Sequence, residues 1–309
     1  MVRLRNFLKF VFAGVVVCLL LTTPACNIIG GESGAETPTP VPTSSVPGME
    51  VVLPQACLLA QQDMIRVEQL QGDLVAWSPV ANSVAYVAST QSSSWNVGDL
   101  NIISAPDFEN PTRLAAQVAG ELAWSPAGLN LAYLGLRRSD NLYTIGLVSP
   151  EGRTLRDLFP EEDARTDGYS SQKAITEWIN EGRLRVQTSC GVDCMQTIDF
   201  AILTGLASPV GSPSQSLWGA WTVQTNQPAV IPPAFAELEG QLNWSPDGKL
   251  IAYIDENDSA WIIEEESGSL YPLDIGDYGT AFETDWSFDS QYLAVRVDKY
   301  LKLFEFDCP

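Results

Sequence analysis

A short segment that joins a tryptophan-bearing strand to a tight turn recurs along this 309-residue chain, and it limits the possible folds more than any other feature. In the clearest copy, Leu242 and Trp244 alternate with polar residues, which is the period of a β-strand. The turn Ser245–Gly248 follows, in which proline presets φ and glycine accepts a positive φ. An apolar run, Leu250–Ile254, completes the segment. The segment therefore predicts a β-hairpin.

Five copies of this hairpin predict a repeat fold. Two further strand-like runs follow most copies, so that each period holds four short strands. Periods of about 40–50 residues with four strands each are typical of β-propeller blades, so we expect an all-β propeller of four-stranded antiparallel blades. A large aromatic residue on each inner strand would fill the wedge between blades, so we expect the repeat tryptophans in the core. They are Trp77, Trp124, Trp178, Trp244 and Trp286.

The long interval between Trp178 and Trp244 leaves the blade count open between six and five. Ser212-Pro213 followed by Leu217–Val223 resembles a degenerate copy without its first tryptophan, and counting it gives six blades. Treating the same stretch as an elaborated loop gives five. On period length we favour six.

The last blade needs a strand from the start of the domain, because only two strand-like runs follow Trp286. The final run ends at Tyr300–Phe306, and we expect Met64–Leu70 to pair with it as the missing outer strand. The N- and C-terminal strands would then close the propeller within one blade.

The pattern Trp-Ser-Pro-Asp-Gly followed by Ile-Ala-Tyr is similar to that of the TolB-like β-propellers, relatives of the WD-repeat proteins. The resemblance extends from about Cys57 to the C-terminus and is most specific around Trp77, Trp124 and Trp244. It implies a propeller domain, here 53–309, that lies outside the cytoplasm and binds proteins or small ligands.

The N-terminus has the three parts of a secretory signal peptide: basic residues in Met1–Lys9, an apolar run in Phe10–Leu21 and small residues at the expected cleavage site. The apolar run is shorter than the roughly 20 residues of a membrane span. Ala25-Cys26 resembles the end of a bacterial lipoprotein signal, which implies lipid attachment at Cys26. We therefore predict a signal over 1–26 and a Pro/Thr/Gly-rich linker over 27–52. Secretion without an anchor is the alternative.

Four cysteines lie beyond the signal, and export favours disulfides between them. Cys190 and Cys194 flank a three-residue hairpin loop, where facing positions suit a disulfide. Cys57 and Cys308 would then pair beside the junction of the first and last strands. No paired zinc motif is present, and we predict no cofactor and no metal.

The charge balance and the absence of histidine exclude several functions. A formal charge of −21 disfavours nucleic acid and contact of the folded domain with anionic lipid. It suits solubility after export, or else a cation or a basic partner. With no histidine in the chain, histidine-based nucleophilic triads and histidine-bound zinc are excluded.

Two functions remain. The first is a monomeric, exported, membrane-anchored scaffold that binds an unknown protein or small ligand in the cell envelope, with Trp218 and Trp221 as a candidate binding surface. The alternative is a carbohydrate-active propeller enzyme, a glycosidase or lyase, that works with two carboxylates. Carboxylates that face each other across the central channel beside aromatic residues would favour the enzyme.

Overall fold

The computed structural model describes ten segments of the chain, and they all belong to one compact unit, Met49–Pro309. The predicted signal, linker and lipidated Cys26 lie outside these segments, as do Met64–Leu70, Trp218, Trp221 and Cys308. The described segments are 56–63, 73–88, 97–137, 142–158, 173–191, 194–214, 235–236, 238–276, 280–298 and 300–306.

These segments form nineteen β-strands and no helix, in agreement with the predicted all-β class. Accordingly, the described part of the chain has no helix that is long and apolar enough to cross a membrane. The strands are β1 (Ala56–Asp63), β2 (Val75–Trp77), β3 (Ser83–Ala88), β4 (Gly98–Ser104), β5 (Thr112–Trp124), β6 (Leu131–Arg137), β7 (Leu142–Val148), β8 (Thr154–Asp157), β9 (Lys173–Asn180), β10 (Arg183–Gly191), β11 (Cys194–Ala201), β12 (Leu206–Ser214), β13 (Gly240–Trp244), β14 (Leu250–Asp255), β15 (Ala260–Glu264), β16 (Leu270–Pro272), β17 (Ala281–Trp286), β18 (Tyr292–Val297) and β19 (Tyr300–Phe306).

The strands form five successive four-stranded antiparallel units, the arrangement expected of propeller blades. Units one and two share the long strand β5, whose residues 112–118 pair with β4 and whose residues 118–124 pair with β6. Unit three is β9–β12, unit four is β13–β16, and unit five is β17–β19 together with β1. The five strands that carry a repeat tryptophan, β2, β5, β9, β13 and β17, are called the inner strands below.

The first and last described strands pair in one sheet, as expected, but through a different segment. Residues 56–63 of β1 run antiparallel to β19, with Ala56 opposite Phe306 and Gln62 opposite Leu301. The outer strand therefore precedes the predicted segment Met64–Leu70. The prediction missed it because Leu58, Leu59 and Ala60 alternate poorly, and a register irregularity lies between Leu58 and Ala60.

Apolar clusters join the units in the order four, five, one, two, three. One cluster holds Leu303 of unit five, Val84 of unit one and Leu131 of unit two. A second cluster holds residues of units four and five, and a third holds residues of units two and three. The first and last units of the chain are therefore packed against each other as well as joined by β1.

The repeated turns have the geometry that their sequence predicts. The Ser245 amide donates to the Leu250 carbonyl at 2.8 Å, and the Leu250 amide donates to the Ser245 hydroxyl at 3.0 Å. Gly248 and Gly128, at the same place in two copies, have φ values of 76° and 67°. Glycine takes this conformation without the steric cost of a Cβ atom.

The described residues contain five units, and the candidate for a sixth is only partly among them. Ser212 and Pro213, which we expected to form its turn, lie instead in strand β12, the outer strand of unit three. The remainder of that candidate, Leu217–Val223, lies outside the described residues.

A disulfide joins Cys190 and Cys194, whose Cα atoms are 5.1 Å apart at the end of the β10–β11 hairpin. This is one of the two predicted pairs. Cys57 also forms a disulfide, but Cys308 lies outside the described residues, so the Cys57–Cys308 pairing stays a prediction.

Candidate functional site

A cavity of about 360 Å³ opens between the inner strands of units one, two, three and five. It extends along these strands from Asp73, before β2, to Pro79 and Pro126 in the turns. Convergence of several inner strands is the position where a propeller keeps its central channel. The lining residues are Asp73, Val75, Ala76, Trp77, Pro79, Leu122, Ala123, Trp124, Pro126, Glu177, Trp178, Glu283, Thr284 and Asp285.

The repeat tryptophans divide into two groups. Trp77, Trp244 and Trp286 are buried, between 4% and 6% exposed, as expected for core residues. Trp124 and Trp178 are only partly buried, and together with Trp77 they line the cavity. The same sequence position therefore lines the cavity in units one, two and three and serves packing alone in units four and five.

A repeated hydrogen bond fixes the tryptophans between neighbouring units. The indole Nε1 of Trp124 donates to the Ala76 carbonyl at 3.0 Å, and Trp178 donates to Ala123 in the same way, also at 3.0 Å. Trp286 donates to Asn243 at 2.9 Å. In each pair the acceptor directly precedes the tryptophan of the neighbouring unit, so the bond recurs with the repeat.

Trp77 does not make this hydrogen bond. Its Nε1 is buried and has no hydrogen-bond partner among the described residues. By the repeat, its acceptor would be the carbonyl of Asp285, which directly precedes Trp286. Instead, the Asp285 carboxylate accepts the backbone amide of Trp77 at 2.7 Å. The junction of units five and one, which lines the cavity, therefore departs from the repeat.

Two buried glutamates connect inner strands of adjacent units, and both lie three residues before a repeat tryptophan. Glu283 of β17 accepts the amides of Leu74 and Val75, at 3.1 Å through Oε1, and its Oε2 pairs with Arg296 at 2.9 Å. Glu121 of β5 accepts the amide of Ile175 at 2.6 Å. The glutamates thereby accept hydrogen bonds from backbone amides of the neighbouring unit that strand pairing would not satisfy.

Burial makes these carboxylates hard to ionise. Desolvation raises the pKa of Glu121 from 4.5 to about 8, although the amide of Ile175 acts in the opposite direction. Desolvation also raises the pKa of Glu283, against the attraction of Arg296. Asp285 touches the cavity, yet dense protein around it raises its pKa to about 7, with a further contribution from the charge of Glu283.

The ionisable residues that line the cavity are acidic rather than basic. The lining includes Asp73, Glu177, Glu283 and Asp285 but no lysine or arginine. Glu177 is half exposed at the cavity, 2.6 Å from Arg185, which also pairs with Asp199 at 2.7 Å. In the described segments no three His, Cys, Asp or Glu residues are grouped closely enough to hold a metal ion. The site therefore offers carboxylates and indole faces but no metal-ligand set.

Sequence reasoning missed the carboxylates that distinguish this site. We singled out the tryptophans, of which Trp77, Trp124 and Trp178 are brought together here and Trp244 and Trp286 are not. A signal was nevertheless present, because Glu121 and Glu283 each lie three residues before a repeat tryptophan. A buried acid repeated in register indicates a specific hydrogen-bond role.

No protein-family model matches the chain, and no curated protein matches it. A solved structure, described as "Crystal Structure of Mitotic Checkpoint Complex", contains a chain of similar backbone arrangement. The two chains are 14% identical in sequence, and the TM-score is 0.47. The match covers 86% of this chain and 100% of the chain in the solved structure.

Proposed function

We propose that this chain is a five-bladed, WD-repeat-like and TolB-like β-propeller that binds a protein partner through the inner-strand cavity. The observation that carries the proposal is the cavity itself, which lies between four inner strands and is lined by three tryptophans and four acidic residues. Concave sites with aromatic walls and a few polar groups are the usual form of a recognition site.

The five-bladed arrangement is supported by the grouping of the described strands into five units. Units four, five, one, two and three share apolar clusters in that order, and β1 pairs with β19. The nineteen described strands make up these five units, because β5 belongs to both unit one and unit two.

The proposed location is the cell envelope, outside the cytoplasm. Three features of the sequence support it: the signal-like N-terminus, the lipoprotein-like Cys26 and the extended linker 27–52. The Cys190–Cys194 disulfide is in keeping with export, because disulfides persist in oxidising compartments.

The hydrogen bonds of the cavity favour binding over the carbohydrate-active enzyme. Carboxylates do lie beside tryptophans, as such an enzyme requires. However, Glu283 holds two backbone amides and Arg296, Asp285 holds the amide of Trp77, and Glu177 pairs with Arg185. Groups that hold the framework together are poorly placed to act as nucleophile or proton donor.

A charge reversal at the cavity tests the proposal. Glu177→Arg places a cation at the half-exposed edge of the cavity, and we expect it to abolish capture of the partner that the wild-type protein retains from cell-envelope extract. Glu264→Arg is the matched control, because Glu264 is exposed on β15 and does not line the cavity. A partner that is captured equally by all three proteins would contradict the cavity as the binding surface.

A further inference from the structure

We infer that the cavity takes a basic side chain, the guanidinium of arginine or the ammonium of lysine, that projects from the protein partner. The inference rests on the proposed function and adds the chemistry of the ligand.

The carboxyl groups of the lining favour a cation over an anion. Four carboxylates line a cavity of about 360 Å³ that has no lysine or arginine in its wall. Arg296 pairs with Glu283 and Arg185 pairs with Glu177, but neither arginine belongs to the lining. A low-dielectric enclosure strengthens the attraction between such acids and an entering cation, compared with the same charges at an open surface.

The indoles favour an organic cation over a metal ion. Trp124 and Trp178 line the cavity and are only partly buried, and aromatic faces attract ammonium and guanidinium groups. The acids, in contrast, are spread over separate strands, and among the described residues no three metal-ligating side chains are grouped. Guanidinium suits this arrangement, because its planar fork donates to several carboxylates while its face stacks on an indole.

The unpaired indole of Trp77 favours a peptide-borne cation over a free amine. Its Nε1 is a buried donor at the irregular junction of units five and one, and it has no acceptor among the described residues. A peptide brings carbonyl acceptors next to its basic side chain, whereas a polyamine brings none. A basic segment of a protein therefore supplies both a cation and the carbonyl acceptors that a free amine lacks.

Isothermal titration calorimetry of the full-length protein with the peptide Ac-Gly-Gly-Arg-Gly-Gly-NH₂ tests the inference. We expect binding that weakens with salt and is lost for the matched citrulline peptide, which keeps the shape of arginine without its charge. Equal binding of the two peptides, or no binding of either, would overturn the inference. If spermidine binds more tightly than the arginine peptide, the cavity is a site for free amines, and the inference that a peptide supplies the cation is overturned.

Two variants, each of which removes the charge of one carboxylate, test whether the peptide binds in the cavity. Glu177→Gln and Asp285→Asn should each weaken binding by about tenfold or more, the loss expected for one charge-assisted hydrogen bond. Glu256→Gln, in an exposed turn away from the cavity, should leave the affinity unchanged. Glu177 is half exposed, so its neutral variant will fold even if Asp285→Asn does not. Unchanged affinity in Glu177→Gln would place the peptide elsewhere.

The outcome is separable from that of the proposed function. Loss of partner capture in Glu177→Arg, combined with no binding of the arginine peptide, would leave the propeller a cavity-dependent scaffold and reject only the basic-side-chain chemistry. Capture that is insensitive to Glu177→Arg would reject the proposed function itself.

Discussion

Individual tryptophans do more in this repeat than fill space between sheets. The indole N–H of Trp124, Trp178 and Trp286 reaches the backbone of the preceding unit, so each ring locks two units in register. Phenylalanine would fill a similar wedge but could not make this bond. The hydrogen bond gives a physical reason for tryptophan, rather than any large aromatic residue, at this position.

Trp286 and Trp77 form a natural matched pair for measuring that bond. Both are buried and both contact other aromatic rings, but only Trp286 has an acceptor, the Asn243 carbonyl. Trp286→Phe should therefore lower the free energy of unfolding by roughly 1–3 kcal/mol more than Trp77→Phe, because it leaves a buried carbonyl without its donor. Urea unfolding of both variants measures the difference. Equal losses would mean that the indole bond adds nothing beyond packing.

For the inner strands, the sequence predicts the local strand and turn structure but not the contacts between units. The strand-turn-strand pattern and the positive φ of Gly248 follow from residues that are neighbours in the chain, and they were predicted. The link from Glu283 to Leu74 was not, because its partners lie 209 positions apart and pairing across units depends on the order in which the units pack. Likewise, only the structure shows that Trp124 faces a cavity while Trp244 is enclosed.

The buried acids of β5 and β17 make the stability of these strands sensitive to pH. The folded-state pKa values of Glu121 and Asp285 are raised to about 8 and about 7, above their ordinary values. The folded state therefore binds more protons than the unfolded state over this interval. The resulting stabilisation is complete below about pH 4 and is lost as the pH rises towards 8.

Glu121→Gln should remove much of this dependence. Glutamine keeps an oxygen for the Ile175 amide but cannot ionise, so the variant should be more stable than the wild type at pH 8.5 by an amount on the order of a few kcal/mol. Denaturant unfolding at pH 5.5 and pH 8.5 measures the change. Glu256→Gln, in an exposed turn, is the control and should follow the wild type. A wild-type protein whose stability is the same at both pH values would show that these acids ionise without cost.

At the scale of the whole molecule, β1 ties together two distant parts of the chain. Its pairing with β19 completes unit five, and Leu59 and Ala60 pack on the cluster that unites units five, one and two. The sequence predicted this type of closure from the strand missing after Trp286. It did not locate the strand, because residues 56–63 lack the alternation that a half-buried strand usually shows.

Two truncations separate the contribution of β1 from that of the residues before it. A protein that starts at residue 56 keeps β1, whereas one that starts at residue 64 leaves the edge of β19 unpaired and uncovers Leu303 and its neighbours. A loss of about 4 kcal/mol would lower the melting temperature of the shorter protein by roughly 8–16 °C. Its exposed edge should also promote aggregation. Cys57→Ser in the longer protein isolates the disulfide from the strand. Equal melting temperatures of the two truncated proteins would show that the fold closes without β1.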